Sequence, residues 1–304
     1  MDNHASSFRC GYVAIAGEPN VGKSTLLNAL LGQKLSIVTK KPQTTRQRVV
    51  GILNREDAQI IFLDTPGLLD PQYLLQEKML TSARLALADA DVILILSEVQ
   101  KGGELSPRVE EELKRPSAAG ARRILVLNKV DTIHREEVLP LIEQFSKRKT
   151  FTDIVPVSAS KGENLDRLLS VIVQALPEHP PYYPQDIVSE APERFFAAEL
   201  IRETIFEKFR EEIPYSTAVE IREFKERETG AAYILADVIV ERKSQKGILI
   251  GHRGESLKAV GVGARAKIEQ FLGKPVFLEL FVKVGREWRA SEQWLNQLGY
   301  NPKG

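Results

Sequence analysis

One cysteine, Cys10, stands in 304 residues. A lone thiol closes no internal disulfide, which argues against a secreted, disulfide-stapled scaffold. Cys10 reads as a small residue at the start of a first strand. Charge of one sign is scarce as well: 42 Lys and Arg against 41 Asp and Glu leave a net charge of +1. The whole molecule is therefore no polycation, and any nucleic-acid contact has to rest on a local basic patch. Long apolar runs are missing, since segments such as 92–96 fall far short of the roughly 20 residues of a spanning helix. Residues 1–7 are polar and lack an apolar leader core, so no signal peptide is expected. The expected location is the cytoplasm, with weak peripheral attachment to the cytoplasmic face of the membrane left open. Internal repeats and low-complexity tracts are absent too. What is there has an ordinary soluble balance, 43% hydrophobic and 27% charged, in a chain long enough for two domains.

The first half alternates short apolar runs (12–16, 60–63, 92–96, 124–127, 154–157) with helical patterns (23–31, 76–88, 106–114, 136–147, 165–176). Strands alternating with helices predict a mostly parallel sheet covered on both faces, the α/β class. An extra strand is expected around 51–53. Residues 177–184, Pro-Glu-His-Pro-Pro-Tyr-Tyr-Pro, break the pattern, because proline bars helix and central strand alike. Boundaries follow: a first domain at 1–176, a proline-rich linker at 177–190 and a second domain at 191–304. In the second the order is helix (194–210), strand (217–224), strand (233–242), a glycine-punctuated helical stretch (246–272), strand (276–284) and a last amphipathic helix (286–298). A turn at Thr229-Gly230 joins its first two strands.

Gly17-Glu18-Pro19-Asn20-Val21-Gly22-Lys23-Ser24 fits G-x-x-x-x-G-K-[ST] between an apolar strand and a helix, with Thr25 next on that helix. Gly17 and Gly22 permit turns that aim successive N–H groups at phosphate oxygens. The helix N-terminus adds positive potential there. Lys23 supplies a cation to the β and γ phosphates, and Ser24 a hydroxyl to Mg²⁺. Asp64-Thr65-Pro66-Gly67 follows the next apolar strand. Asp64 is placed to hold Mg²⁺ through its water shell, and Gly67 to present an N–H to the γ-phosphate. Asn128-Lys129-Val130-Asp131 decides the base. One carboxylate accepts both N1–H and the 2-amino group of guanine, whereas adenine leaves it unpaired. Asn128 is expected at the 6-keto/N7 edge and the Lys129 stem over the base plane. In Ser158-Ala159-Ser160 the Ala159 N–H is expected at the keto oxygen. These residues together predict a GTP/GDP site.

The four motifs in this order resemble the translation-factor class of GTPases. Lys41-Pro42-Gln43-Thr44-Thr45-Arg46 narrows the resemblance to the Era family of bacterial GTPases. The resemblance implies that this segment is the first switch and that a threonine, Thr44 or Thr45, completes the Mg²⁺ shell. Lys23, Thr45 and Gly67 are then the residues assigned to the chemistry. Where many GTPases carry a water-orienting glutamine, this chain has Leu68. Relatives with asparagine at the position of Asn20 use K⁺ beside the phosphates as a substitute positive charge; otherwise Asn20 is a plain turn residue.

In the second half, Gly251-His252-Arg253-Gly254 lies between two helical stretches. Neither glycine carries a Cβ to hold off a nucleic-acid backbone. Lys243, Lys246, Arg253 and Lys258 surround the loop with charge, and Gly247, Ile248, Ile250 and His252 complete the expected surface, the isoleucines as a floor for bases. The element order resembles a bacterial, type II KH domain, an α+β fold. With both halves and the linker in the family's order, the resemblance implies a monomeric GTPase. It also implies binding to 16S rRNA near its 3′ end and a role in maturing the 30S subunit. Relatives often read Gly-Lys-Gly-Gly where this loop carries the bulk of Arg253. Two other readings stand beside this one: a GTP-gated binding protein in which hydrolysis is incidental, and a GTPase whose second domain binds protein or membrane.

Overall fold

The computed structural model describes residues 8–39, 41–99, 104–115, 120–226 and 230–301. Residues 1–7 and Thr229, read above as a polar start and part of a turn, lie outside them. The chain divides into two compact units. The described residues of Met1–Ser36, Thr45–Asp70 and Met79–Glu190 form the first, and those of Ile37–Thr44, Pro71–Lys78 and Ala191–Gly304 the second.

The first unit is built on β1 (Arg9–Gly17), β2 (Val49–Asn54), β3 (Ala58–Asp64), β4 (Val92–Glu98), β5 (Arg122–Asn128) and β6 (Asp153–Pro156). They form one sheet in the order β2-β3-β1-β4-β5-β6. All neighbours pair in parallel except β2, which runs antiparallel to β3. Successive strand residues point to opposite faces, so continuous apolar strands feed two cores at once. Val13, Ile15, Phe62, Leu94 and Val126 pack with α1 (Lys23–Leu31) and α5 (Leu165–Ala175). Ala14, Ile61, Leu63, Ile95 and Leu125 pack on the other face with α2 (Leu74–Asp89), α3 (Pro107–Leu113) and α4 (Arg135–Ser146). The parallel strands all end on one side, which brings Gly17, Asp64 and Asn128 to a common edge.

The proline-rich stretch is held along this unit and turns at Pro184–Ile187, where Ile187 N donates to Pro184 O at 3.2 Å. Cys10 N donates to Pro177 O at 3.1 Å, His179 N to Phe8 O at 3.1 Å and Ile52 N to Val188 O at 2.9 Å. Gln59, fully buried on β3, accepts from the amides of Tyr182 (2.8 Å) and Tyr183 (2.9 Å) and donates to Tyr183 O (2.7 Å).

The second unit contains α6 (Glu193–Lys208), β7 (Ala218–Glu226), β8 (Ala232–Val240), α7 (Lys243–Ile250), α8 (Glu255–Leu272), β9 (Val276–Val284) and α9 (Glu292–Gln297). Its sheet runs β7-β8-β9, with β7/β8 antiparallel and β8/β9 parallel. Ile201, Ile205, Ile234, Ala236, Val238, Leu249, Val260 and Ile268 fill the core between sheet and helices. The glycine-punctuated stretch is two helices separated by a tight turn at His252–Gly254. The last helix is shorter than its pattern suggests. Trp288 begins a tight turn, is fully buried and donates from Nε1 to Ser216 O at 2.8 Å. A buried indole with its N–H satisfied fixes the tail to its own unit, leaving only six residues for α9.

Candidate nucleotide site and nucleic-acid interface

The loop after β1 has the conformation its glycines require. Gly17 (φ 149°) and Gly22 (φ 100°) both sit at positive φ. A Cβ at Gly17 would lie 2.5 Å from Leu96 O, and one at Gly22 would lie 2.4 Å from Asn128 Nδ2. Gly67 approaches the same loop so closely that a Cβ would meet Pro19 N at 2.9 Å. Leu68 N donates to Gly17 O at 3.0 Å, and Leu68 itself is buried, so its side chain belongs to the core. Asn20 is exposed and left-handed, at φ 67°.

Lys23 Nζ donates to Gly17 O at 3.1 Å and Glu18 O at 2.7 Å. Burial pushes its pKa down to about 8 against the pull of Asp64. Ser24 Oγ lies 2.8 Å from Thr45 Oγ1 and donates to Asp64 Oδ2 at 2.9 Å. Burial raises the Asp64 carboxyl above its ordinary range, with Ser36, Lys23, Ser24 and Thr45 acting to lower it. Asp64 Oδ1 and the neighbouring Ser36 Oγ are both buried, and neither completes a hydrogen bond of good geometry. Hard oxygen donors converging with two orphaned oxygens suit Mg²⁺. Among the described residues no cluster of three or more His, Cys, Asp or Glu forms a cage of its own. Thr44 is placed differently from Thr45: its carbonyl accepts from Arg202. Thr65 Oγ1 donates to Ile15 O at 2.8 Å and so fixes the turn after β3. Ser36 is a contributor that no motif reveals.

At the base end Asn128 and the Ala159 N–H are joined to each other. Asn128 was expected at the 6-keto/N7 edge. Its Nδ2 donates one proton to Val21 O at 2.7 Å, which leaves the second N–H of the amide for that edge, and its Oδ1 accepts the Ala159 N–H at 3.0 Å. It is 2% exposed and braces the phosphate loop against the last motif. The Ala159 N–H, expected at the keto oxygen, is engaged in that brace. Asp131 is exposed, and its Oδ1 accepts from Ser158 Oγ at 2.6 Å, which orients the carboxylate. Lys129 is left-handed (φ 65°) and pairs with Glu98 at 3.1 Å, laying its stem along the site. Ser160 Oγ lies 3.4 Å from Ser158 Oγ.

In the second unit Gly251 (φ 72°) and Gly254 (φ 83°) frame the loop, and Arg253 takes a left-handed φ of 49°. A Cβ at Gly251 would lie 2.2 Å from Ser256 Oγ, so glycine is required there. A Cβ at Gly254 would meet nothing within 4 Å, so this corner opens to whatever approaches. Lys243, His252, Arg253 and Lys258 are exposed and Lys246 half-buried. Beside the loop lies a groove of about 350 Å³ whose walls include Gly254, Leu257, Lys258, Val262, Arg265 and Phe277. Of the two isoleucines expected as a floor, Ile250 packs on the core and Ile248 stands 51% exposed next to the loop, outside this groove. Its apolar wall comes from α8 and β9, with Val262 57% and Phe277 47% exposed. Phe277 stacks on Tyr233 of the neighbouring strand, with ring centroids 5.9 Å apart, and keeps its outer face toward the groove.

The geometry defines a P-loop guanine-nucleotide-binding domain joined to a KH domain. A family described as "50S ribosome-binding GTPase" matches residues 12–129, and the KH domain family matches 212–289. GTPase Era of Geobacter metallireducens is 48% identical over 295 residues, 96% of this chain and 98% of that protein. GTPase Era of Clostridium beijerinckii is 43% identical over 96% of this chain and 98% of that one. A crystal structure of an Aquifex aeolicus Era variant bound to GDP·AlF₄⁻ superposes with a TM-score of 0.91 at 43% identity, covering 97% of this chain and 100% of that one. An Era complex with MgGDPNP and nucleotides 1506–1542 of 16S ribosomal RNA gives the same score and identity, covering 97% and 99%. The chain belongs to the Era family of GTPases. It is an enzyme that hydrolyses GTP.

Proposed function

We propose that this GTPase uses its nucleotide state to control binding of the 3′ end of 16S rRNA by the KH domain, and so acts in maturation of the 30S subunit. The observation that carries the reading is the open glycine corner at Gly254 beside a cation-rimmed apolar groove, in a chain that also holds a Mg²⁺–GTP site. Phosphates lie against the loop backbone, Lys258 and Arg265 screen them, and bases rest on the Leu257–Val262–Phe277 wall. The rRNA complex of the relative supports the choice of RNA.

Ser24, Thr45 and Asp64 hold Mg²⁺, with Thr45 rather than Thr44 as the switch threonine, because only Thr45 hydroxyl lies against Ser24 and Asp64. Mg²⁺ neutralises charge on the β and γ oxygens when bound. Lys23 holds a proton at the bridging side of the phosphates, the loop amides from Glu18 to Ser24 orient them, and Gly67 N–H meets the γ-phosphate. Asp131 reads guanine, with Lys129 and Ser158–Ala159–Ser160 walling the base. Leu68 orients no water, so charge stabilisation and alignment carry the step. Asn20, exposed on the phosphate loop, is the residue we assign to K⁺. Replacing K⁺ by Na⁺ is expected to lower kcat if that assignment holds.

The protein works as a cytoplasmic monomer. Among the described residues no helix is long and apolar enough to cross a membrane, and Leu295 of α9 is buried.

The test is binding of a single-stranded RNA matching the 16S 3′ end, in GDPNP and in GDP, to the wild type, Gly254→Asp and Thr45→Val. Gly254→Asp puts a carboxylate in the open corner and a side chain at φ 83°, and the charge repulsion and backbone strain together are expected to weaken RNA binding at least tenfold, about 1.4 kcal/mol per decade. Thr45→Val is expected to abolish the preference for GDPNP over GDP. RNA affinity indifferent to Gly254→Asp and to salt would overturn the KH assignment.

A further inference from the structure

The family reaction leaves open what aligns the two switch segments when Leu68 occupies the position of the water-orienting glutamine. Gln76 lies in the first turn of α2, the element that follows the Asp64–Gly67 motif in the chain, and it is 6% exposed. Its Oε1 accepts the Gln72 N–H at 2.8 Å, and its Nε2 donates to Gln43 Oε1 at 3.2 Å. Gln72 closes the segment 68–72 after the Asp64–Gly67 motif, where the family resemblance puts the second switch. Gln43 belongs to the first, two residues before Thr45. One buried amide therefore joins both.

Gln43 is also held in an unfavourable backbone state. Its φ is 61°, the left-handed region that a glutamine seldom enters without support. The side-chain bond from Gln76 is a support of that kind. The strained residue sits just upstream of Thr45, whose hydroxyl faces Ser24 and Asp64. If α2 shifts when the γ-phosphate leaves, Gln76 moves with it, Gln43 loses its partner, and the first switch is released together with the second.

We infer that Gln76 is a positioning residue for GTP hydrolysis, bridging Gln43 and Gln72 so that the two switches order as one unit. It acts through Gln43 and Gln72, the residues it bonds. The simpler role is a helix cap, since a side chain in the first turn that accepts a preceding N–H is a common capping arrangement. The cap needs only Gln72, whereas the bridge needs Gln43 as well.

Gln43→Asn separates the two. Asparagine tolerates the left-handed backbone but is one methylene too short for the bond, while the Gln72 contact stays. Gln76→Ala removes both contacts. Gln76→Glu keeps the acceptor for Gln72 N–H, and its other oxygen can accept from the Gln43 amide once that amide is turned over. Single-turnover GTP hydrolysis with enzyme in excess is the readout, alongside GTP and GDP affinity and the thermal midpoint. Gln43→Asn is expected to slow hydrolysis about fivefold to tenfold, the size of one lost bond, and Gln76→Ala, which removes two, at least as much. Nucleotide affinity should change less than twofold, Gln76→Glu should recover most of the rate, and the double variant Gln76→Ala/Gln43→Asn should be no slower than the worse single. Hydrolysis by Gln43→Asn at the wild-type rate would overturn the bridge and leave a helix cap. Independent, multiplying losses in the double variant would do the same.

Discussion

Lys23 is the residue in which burial and charge conflict most directly. Its ammonium is fully enclosed, held by two carbonyls, and desolvation brings its pKa from an ordinary 10.5 down to about 8. Between those values the folded chain binds fewer protons than the unfolded one. The cost of enclosing the cation is therefore present below about pH 8 and is relieved as pH rises toward the unfolded value. Nucleotide binding reverses the sign. Phosphate oxygens favour the ammonium, so above about pH 8 binding must take up a proton, and affinity should fall with a limiting slope of about tenfold per pH unit. Calorimetry in two buffers of different ionisation enthalpy should show uptake near zero at about pH 6.5 and approaching one proton at about pH 9. Uptake that stays at zero across the range would place the lysine's pKa elsewhere. Asp64, its carboxyl raised by burial, is the complementary group. A divalent cation, which needs the carboxylate form, stabilises the ionised state that desolvation disfavours.

At the scale of elements, much of the design is legible in the order of residues. The helix at Lys23–Leu31 and the strand at Val276–Val284 coincide with their sequence patterns, because each combines a clear period with glycine at or near its end. The extra strand β2 is legible from its short apolar run, and its antiparallel direction is not. Interior polar contacts were not. Gln59, Gln76 and Ser36 carry no motif, since each is defined by a partner 30 or more residues away or by burial that only the fold creates. The two-helix division at Gly251–Gly254 was half-visible, because glycines mark a break without saying that helix resumes at once. The C-terminal pattern misleads for a related reason: helical spacing of Trp288, Leu295 and Leu298 does not reveal that Trp288 turns inward to Ser216. Asn128 and Ala159 are the instructive pair in the site. The motif placed both correctly at the edge of the sheet, but only coordinates show that they bond each other.

Gln59 gives this scale its prediction. The residue is fully buried and satisfies two amides and one carbonyl of the proline-rich stretch. Gln59→Ala would leave the Tyr182 and Tyr183 N–H groups without that acceptor, at a cost of about 1–3 kcal/mol for an unsatisfied buried donor. Limited proteolysis should then cut between residues 178 and 190 faster than in the wild type, while GTP affinity is unchanged. Unaltered cleavage would show that the other contacts along β2 suffice to hold the stretch.

For the molecule as a whole, marginal stability is shared between two units with separate cores. A ligand that binds one of them stabilises that one by mass action, so Mg²⁺–GTP should raise the unfolding midpoint of the first unit. The chain carries its own reporter for this. Cys10 is the only thiol, is wholly enclosed on β1, and donates toward Gln59 Oε1 at 3.6 Å. Burial also raises its pKa, so even the small thiolate fraction that reacts is suppressed. A maleimide or iodoacetamide pulse should mark the protein only in the moments when β1 comes away from its neighbours. Its labelling rate then becomes a clock for the opening of the nucleotide-binding sheet. Saturating Mg²⁺–GTP should slow that clock by the factor (1 + [GTP]/Kd), and RNA alone should leave it running at its original pace. The scarcity of cysteine thus makes the native sequence a blank background on which one engineered surface thiol can be labelled selectively.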